Sequence, residues 1–368
     1  MTVVTAPTAT GPQDPNAWKA AVEELGLSVP NGWEVQLTEA KHDPAAWHRD
    51  AEGEDAVTRP VWRLKFRVAP SSLAGYGAED IATMVRDAMR VKRSRRAPVA
   101  PSRGLVVAYS DPQTGKVDRR GGTPELIARV AEKFDRLQDH IRDLQAVGRP
   151  VDSAYWMDAG DCVEGQQNVA AQIGTNDLTM TEMVRLHRRL TFDGLKRLAR
   201  QFDSVTAAVC ASNHAQHRVN GKMVGPPTDD WGIETMQQVA DAFAVNEGAF
   251  GHVKFILPET WQETVSVDVA GTVVGLSHGH QVRNPSKVVD WWRGQTFGEQ
   301  PVAAARILLT GHFHHFRAEE VGSGKLWVQA PALDNGSSWY SNWSGDDSRA
   351  GLLVFSVGPD GWSDLVIL

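Results

Sequence analysis

Cysteine is nearly absent: Cys162 and Cys210 are the only two in 368 residues. Both fall in apolar or motif surroundings, which excludes a disulfide-stapled scaffold. No apolar run approaches the ~18 residues of a membrane span. The start, Met1-Thr2-Val3-Val4-Thr5-Ala6-Pro7, lacks the basic head and apolar core of a secretory signal. A cytoplasmic location with no membrane partner is therefore expected. Positive charge is also short, with 38 Lys and Arg against 45 Asp and Glu and a net charge of −7, which argues against a broadly basic nucleic-acid binder. No internal repeat and no phosphate-cradling glycine loop stands out. The length leaves room for one large domain and a small one.

What the chain does have is a series of short apolar runs that end in metal-ligating residue types. Leu308-Leu309-Thr310 leads into Gly311-His312-Phe313-His314-His315. Read as a buried strand, this places His312 and His314 two residues apart, where strand side chains share one side and converge on one point. Histidine is the commonest neutral metal ligand near neutral pH, and strand C-termini carry the chemistry of α/β proteins. Upstream, similar runs end in Ser277-His278-Gly279-His280, in Ser212-Asn213-His214, in Gly160-Asp161-Cys162-Val163-Glu164 and in Asp111-Pro112-Gln113. Chance rarely assembles such an ordered set. His280 and His315 read as neighbours of ligands or surface residues, and Asp158 as structural.

In order and spacing these residues resemble the calcineurin-like metallophosphoesterases, whose motifs run DxH, GDxxD/E, GNHD/E, a His beside Gly, and GHxH. The resemblance covers residues 104–368. It implies a layered α/β/β/α metallophosphoesterase sandwich with two divalent cations roughly 3.5–4 Å apart that clamp a phosphoryl group and activate a water. It also implies that Asp161 bridges the cations. The first would take Asp111, Gln113, Asp161 and His314, and the second Asp161, Asn213, His278 and His312. His214 would stay off the metals as general acid to the leaving oxygen.

Two positions depart from the family pattern. Gln113 stands where the family has His. An amide oxygen is a harder, weaker ligand, so the site leans to Mn2+, with Mg2+ as the other candidate, over zinc or iron; alternatively a water replaces Gln113 on the metal. Ala215 stands where the family has an acid that orients the catalytic His. Either another carboxylate, Asp177 or Asp230, takes that part, or the role of His214 is weakened. The implied activity is phosphodiester hydrolysis, first as a DNA nuclease resembling the nuclease subunit of double-strand-break repair complexes. A small-molecule phosphatase or cyclic-nucleotide phosphodiesterase is the alternative, and a non-catalytic binding protein with a degraded site is the third reading. The layout also resembles phosphoesterases encoded by phages of high-GC bacteria, which would place the protein in a host cytoplasm. Family resemblance does not choose among these activities.

Along the chain, residues 1–14 are rich in Thr, Pro and Ala and are expected to lack order. Residues 15–97 read as a small N-terminal α+β module and 98–368 as the metallophosphoesterase domain. In the module, Trp33, Val35 and Leu37, and again Trp62, Leu64, Phe66 and Val68, alternate with polar residues as strands do. The second strand has a basic row of Arg63, Lys65 and Arg67. A helical pattern over 79–96 carries Arg86, Arg90, Lys92, Arg93, Arg95 and Arg96. This run is either a solvated helix end or a contact to a phosphate backbone, and it is the ground for nucleic acid as substrate. The module also offers a surface for homo-oligomerisation.

Beyond it the pattern predicts strand 104–110, helix 123–147, strand 153–159, helix 179–202, strand 205–211, helix 229–246 and then β-rich segments, as a layered sandwich requires. His217, after the third motif, and Trp339, after the fifth, are the candidate substrate contacts, the latter by stacking a base.

Overall fold

The computed structural model describes residues 3–8, 18, 20, 23, 33–49, 56–70, 81–92, 102–166, 172, 174–219, 221–338, 341–342, 345 and 347–368. The chain divides into two compact units, Met1–Ala78 and Glu79–Leu368. In the first, β1 (Val3–Thr8), β2 (Trp33–Arg49) and β3 (Ala56–Pro70) form an antiparallel sheet in the order β1-β3-β2. Strand β1 corrects the expectation that residues 1–14 lack order. Val3, Val4, Thr5 and Thr8 are β-branched and suit a pleated strand, and β1 pairs along β3 from Val3 opposite Arg67 to Thr8 opposite Trp62. Its Pro7 lies on an edge strand, where one side of the ladder is open. Strand β2 runs through a register shift between Asp43 and Ala46, the position of Pro44.

The second unit begins with α1 (Ile81–Arg90). The sequence pattern groups this helix with the N-terminal module, but its apolar face belongs to the larger unit. Met84 and Ala88 are buried, and Asn246 Nδ2 donates to the carbonyls of Ala88 at 2.8 Å and Val91 at 3.0 Å.

Then follow β4 (Gly104–Tyr109), α2 (Thr123–Ala146), β5 (Ser153–Asp158), α3 (Met180–Gln201), β6 (Val205–Val209), the short pair β7 (Arg218–Val219) and β8 (Lys222–Met223), α4 (Trp231–Ala244), α5 (Glu247–Phe250) and β9 (Val253–Ile256). The C-terminal part adds β10 (Val265–Val269), β11 (Thr272–Ser277), α6 (Val288–Phe297), β12 (Ile307–Thr310), β13 (Arg317–Val321), β14 (Lys325–Gln329), β15 (Leu353–Gly358) and β16 (Gly361–Ile367).

These strands build two mixed sheets. One has the order β16-β15-β4-β5-β6-β9, with β4, β5, β6 and β9 parallel. The other has the order β10-β11-β12-β14-β13, with β11, β12 and β14 parallel and antiparallel edges. Alternation along each strand sends one face of each sheet into a shared apolar core. Val106, Tyr155, Met157 and Ala208 contribute from the first sheet, and Val274, Leu276, Ile307, Leu309 and Val328 from the second. The opposite face of the first sheet is covered by helices. Tyr109 stacks on Trp156 at 4.7 Å between ring centres, and Phe134 of α2 lies 5.9 Å from the same indole.

Helix α6 covers the outer face of the second sheet, with Val288 and Trp292 against Leu308 and Trp327. The sequence pattern reads this region as β-rich because only Val288 and Trp292, four apart, are buried on the helix. Trp292 donates Nε1–H to Val302 O at 3.0 Å and packs in this layer. The mixed α/β architecture is consistent with the expected layered sandwich. Among the described residues, no helix is long and apolar enough to cross a membrane.

Candidate metal centre

Parallel strands joined by helices present their C-terminal ends along one edge. Here β4, β5 and β6 deliver Asp111, Asp161 and Asn213 to that edge, and β11 and β12 deliver His278 and His312. The turns are locked to one another by main-chain bonds. Asp111 N donates to Gly160 O at 3.1 Å, Gln113 N to Asp161 O at 3.0 Å, and Gly311 N to His278 O at 3.0 Å. The two sheets are tied at Asp111, whose carboxylate oxygens accept from His312 N at 3.2 and 3.1 Å.

Five site residues adopt left-handed backbone: Asp111 (φ 48°), Gln113 (φ 38°), Asp161 (φ 50°), His312 (φ 70°) and His314 (φ 62°). Such non-glycine conformations cost of order 1–3 kcal/mol each and cluster at functional sites. They also correct the strand-parity argument for His312 and His314. Strand β12 ends at Thr310, and the two imidazoles turn to different neighbours.

The centre of the cluster is Asp161, His278 and His312, whose donor atoms all lie within 4.8 Å of one another. His278 donates Nδ1–H to Ala159 O at 2.7 Å. Its Nε2 then lies 3.1 Å from Asp161 Oδ2 and 2.9 Å from Asn213 Oδ1. Three such atoms facing one another need a positive species between them, a proton or a metal ion. Ligands each roughly 2.0–2.2 Å from a shared ion have about this mutual spacing, so the donor set fits a divalent cation.

Burial alone would lower the His278 imidazole, but the Asp161 carboxylate holds it up to about 9. Burial, then the neighbouring His278, pushes His312 down to about 3, so it offers a neutral nitrogen. Burial would raise Asp161, yet His278 and His214 keep it well below the usual carboxylate range. His280 lies beside the cluster, its ring 5.5 Å from that of His278.

His214 flanks this cluster. Its main-chain N donates to Asp161 Oδ1 at 2.9 Å and its Nε2 lies 3.9 Å from Asp161 Oδ2. Nδ1–H donates to Glu164 O at 2.8 Å, which leaves Nε2 as the nitrogen on the side of the centre. Neither carboxylate expected to orient it does so. Asp177 accepts from Thr123 N at 2.8 Å and caps α2, while Asp230 accepts from Ser212 N at 2.9 Å and from Gly232 N at 2.7 Å at the start of α4. Besides Asp161, the carboxylate near His214 is Glu164, on the Nδ1 side with Oε2 at 3.6 Å, and burial raises its pKa. Ala215 is fully buried in an apolar cluster with Cys162, Val163 and Met183.

The remaining expected residues fall elsewhere. Gln113 Oε1 accepts from Lys116 Nζ at 2.6 Å, and the same ammonium reaches Asp334 Oδ2 at 2.6 Å. His314 places Nδ1 3.2 Å from Asp334 Oδ2 and Nε2 3.5 Å from Asp111 Oδ1. Burial would lower His314, but Asp334 raises it to about 10. His217 is exposed, and its recorded bonds are main-chain ones to Asp229 and Val224. Trp339 lies outside the described residues. Lys116, Glu164 and Asp334 are the site residues that motif reading misses. Only Glu164 carries a signal, as the last residue of the GDxxE motif.

No family model matches the chain, and no curated protein matches it. Solved structures do. Zinc-complexed Vps29 from Entamoeba histolytica is 15% identical with a TM-score of 0.34, over 72% of this chain and 97% of its own. Phosphopantetheinyl hydrolase from Mycobacterium tuberculosis is 11% identical with a TM-score of 0.26, over 64% and 92%. Purple acid phosphatase PPD1 from yellow lupin is 11% identical with a TM-score of 0.28, over 84% and 54%.

Proposed function

We propose that this chain is a metal-dependent phosphoesterase, a hydrolase of phosphoric esters. The observation that carries the reading is the convergence of Asp161, Asn213, His278 and His312 at strand ends, with His214 beside them. A divalent cation held there supplies Lewis-acid polarisation of a phosphoryl oxygen and acidifies a water. The protein's own residues supply the rest. Asp161 joins His278 and His214 in one charge cluster, and Ala159 O fixes the His278 tautomer. Glu164 O fixes His214, so that Nε2 exchanges a proton with the leaving oxygen. With Gln113 held by Lys116, its amide oxygen does not favour manganese over zinc. Two imidazoles, a carboxylate and an amide oxygen take borderline divalent ions in general.

The nuclease reading rests on the basic run, on the basic row Arg63, Lys65 and Arg67 and on the phage-like layout, and the run is the ground closest to the centre in sequence. Its described part lies at the far end of α4 from the centre: Asn246, past the C-terminus of α4, holds Ala88 and Val91. Asp230, at the N-terminus, holds Ser212 beside Asn213. Helix α4 has 14 residues, roughly 20 Å, so Arg86, Arg90 and Lys92 lie away from the centre, and Arg93, Arg95 and Arg96 fall outside the described residues. We therefore assign ester hydrolysis and make DNA one outcome of the test.

The purified protein is assayed with Mn2+ and with Zn2+ on bis-p-nitrophenyl phosphate, p-nitrophenyl phosphate and labelled single- and double-stranded DNA. Loss of turnover in Asp161→Ala, and a fall of about 10²–10⁴-fold in His214→Ala, are expected. Turnover that survives Asp161→Ala sinks the reading. Cleavage of DNA lost in both variants establishes a nuclease, and activity confined to the small esters establishes a small-molecule phosphoesterase.

A further inference from the structure

The first of the two cation positions implied by resemblance does not fit its residues. It needs Asp111, Gln113 and His314 to turn free donor atoms toward a point shared with Asp161. Instead, Lys116 Nζ sits 2.6 Å from Gln113 Oε1 and 2.6 Å from Asp334 Oδ2. His314 is turned between Asp334 and Asp111, at 3.2 and 3.5 Å. The Asp111 oxygens accept from His312 N and from the Ser110 hydroxyl.

Lys116 is also built into place. The residue is only 8% exposed. Its main-chain N donates to Gln113 O at 3.0 Å, and its carbonyl accepts from Asn335 Nδ2 at 2.8 Å. Arg129 Nη1 clamps the loop that carries Asp334, donating to Leu333 O at 2.9 Å and to Asp334 O at 3.1 Å.

From this the geometry points to a one-cation centre, in which the Lys116 ammonium, engaging Gln113 and Asp334, stands in for the charge of the first divalent ion and only the Asp161–Asn213–His278–His312 position takes metal. The inference rests on the phosphoesterase reading above. An ammonium is a compact point charge with three donors, and here two of its contacts are to Gln113 and Asp334. A dication placed beside it would be repelled and would meet a Gln113 oxygen already engaged. Gln113 and Lys116 thus act as a pair: an amide oxygen where the resemblance implies an imidazole, and the cation that uses it. The ammonium provides positive charge beside the first position, while any acidification of water would be left to the single metal.

The test is a metal count on the full chain. Protein stripped with chelator is reloaded with excess Mn2+ or, separately, Zn2+, then desalted. Bound ions are counted by native mass spectrometry and by inductively coupled plasma mass spectrometry. One ion per chain is expected, with the six-line electron paramagnetic resonance spectrum of an isolated Mn2+. Two ions per chain, or the signal of an exchange-coupled pair, would overturn the inference and leave the phosphoesterase reading standing. No bound ion of either kind overturns both.

The double variant Gln113→His with Lys116→Ala is expected to gain a second ion. A count that stays at one in a variant with native circular dichroism shows that Lys116 is not what holds the position, and the inference falls. Where that variant does not fold, the wild-type count decides alone.

Discussion

At Asp334 one carboxylate faces Lys116 Nζ at 2.6 Å and His314 Nδ1 at 3.2 Å, largely out of water. Removing one partner of a buried pair leaves the other charge uncompensated, which costs about 3–5 kcal/mol. Asp334→Ala is therefore expected to lower unfolding stability by that order, read from urea denaturation at constant m-value. Burial would raise this carboxyl, but His314 and Lys116 hold it far below its ordinary 3.8. A carboxyl depressed in the folded state contributes stability above its unfolded value and loses it as pH falls through the folded one. The acid limb of melting temperature thus lies below pH 3.8 for this group, and Asp334→Asn should flatten it. An unchanged limb in thermal melts from pH 5 to pH 2 would remove Asp334 from this role. Nothing in the motif spacing marks Lys116 or Asp334, because the pair joins residues 218 apart in sequence.

At the scale of turns and helices, the glycine of the GDxxE motif is a spacer between neighbouring loops. Gly160 has φ +93°, and a Cβ there would meet Ser212 Cβ at 2.5 Å and His278 Nδ1 at 3.0 Å. Gly160→Ala must shift the loops that carry Asn213 and His278. Loss of positioning around a metal commonly costs 10–100-fold in affinity, so a fall of about that size is expected by calorimetry with Mn2+ or Zn2+. Wild-type affinity in this variant would mean that the turn does not position the ligands. Asp230 caps α4 through Gly232 N and Ile233 N and also holds Ser212 N. Its replacement by Ala should cost about 0.5–2 kcal/mol for the cap, together with weaker metal binding. A loss of stability with metal affinity intact would confine Asp230 to the helix. From β4 to α4, all but the short pair β7 and β8 was legible within two residues of each boundary because apolar periodicity there is strong. Helix α6 and strand β1 were not. The first buries only Val288 and Trp292, and the second lies in a stretch whose Thr, Pro and Ala content masked its β-branched residues.

For the whole molecule, Cys162 and Cys210 are both free and fully buried, and burial raises both thiols well above their ordinary value. Neither should react with iodoacetamide at pH 8 until the protein unfolds, so mass spectrometry after native labelling should show no adduct. Prompt labelling would contradict the packing of the two sheets. The unit Met1–Ala78 and the unit Glu79–Leu368 can be separated in the same spirit. The sequence reading offers the N-terminal unit as a surface for self-association. Light scattering should then give a multiple of the chain mass for the full chain and a single copy for residues 79–368, and equal oligomeric states would refute it.

The order of apolar runs and the residue types at their ends determined the alternating strands and helices and the candidate ligands, since periodicity and donor chemistry are local properties. Only the tertiary structure decided which donors face one another. His312 and His314 are neighbours in sequence, yet their left-handed backbones send one toward Asp161 and His278 and the other to Asp334. Gln113 matches a ligand position by order alone. The fold gives it to Lys116, because a buried ammonium must be met by oxygens, and chain closure over two sheets brought Asp334 to share it.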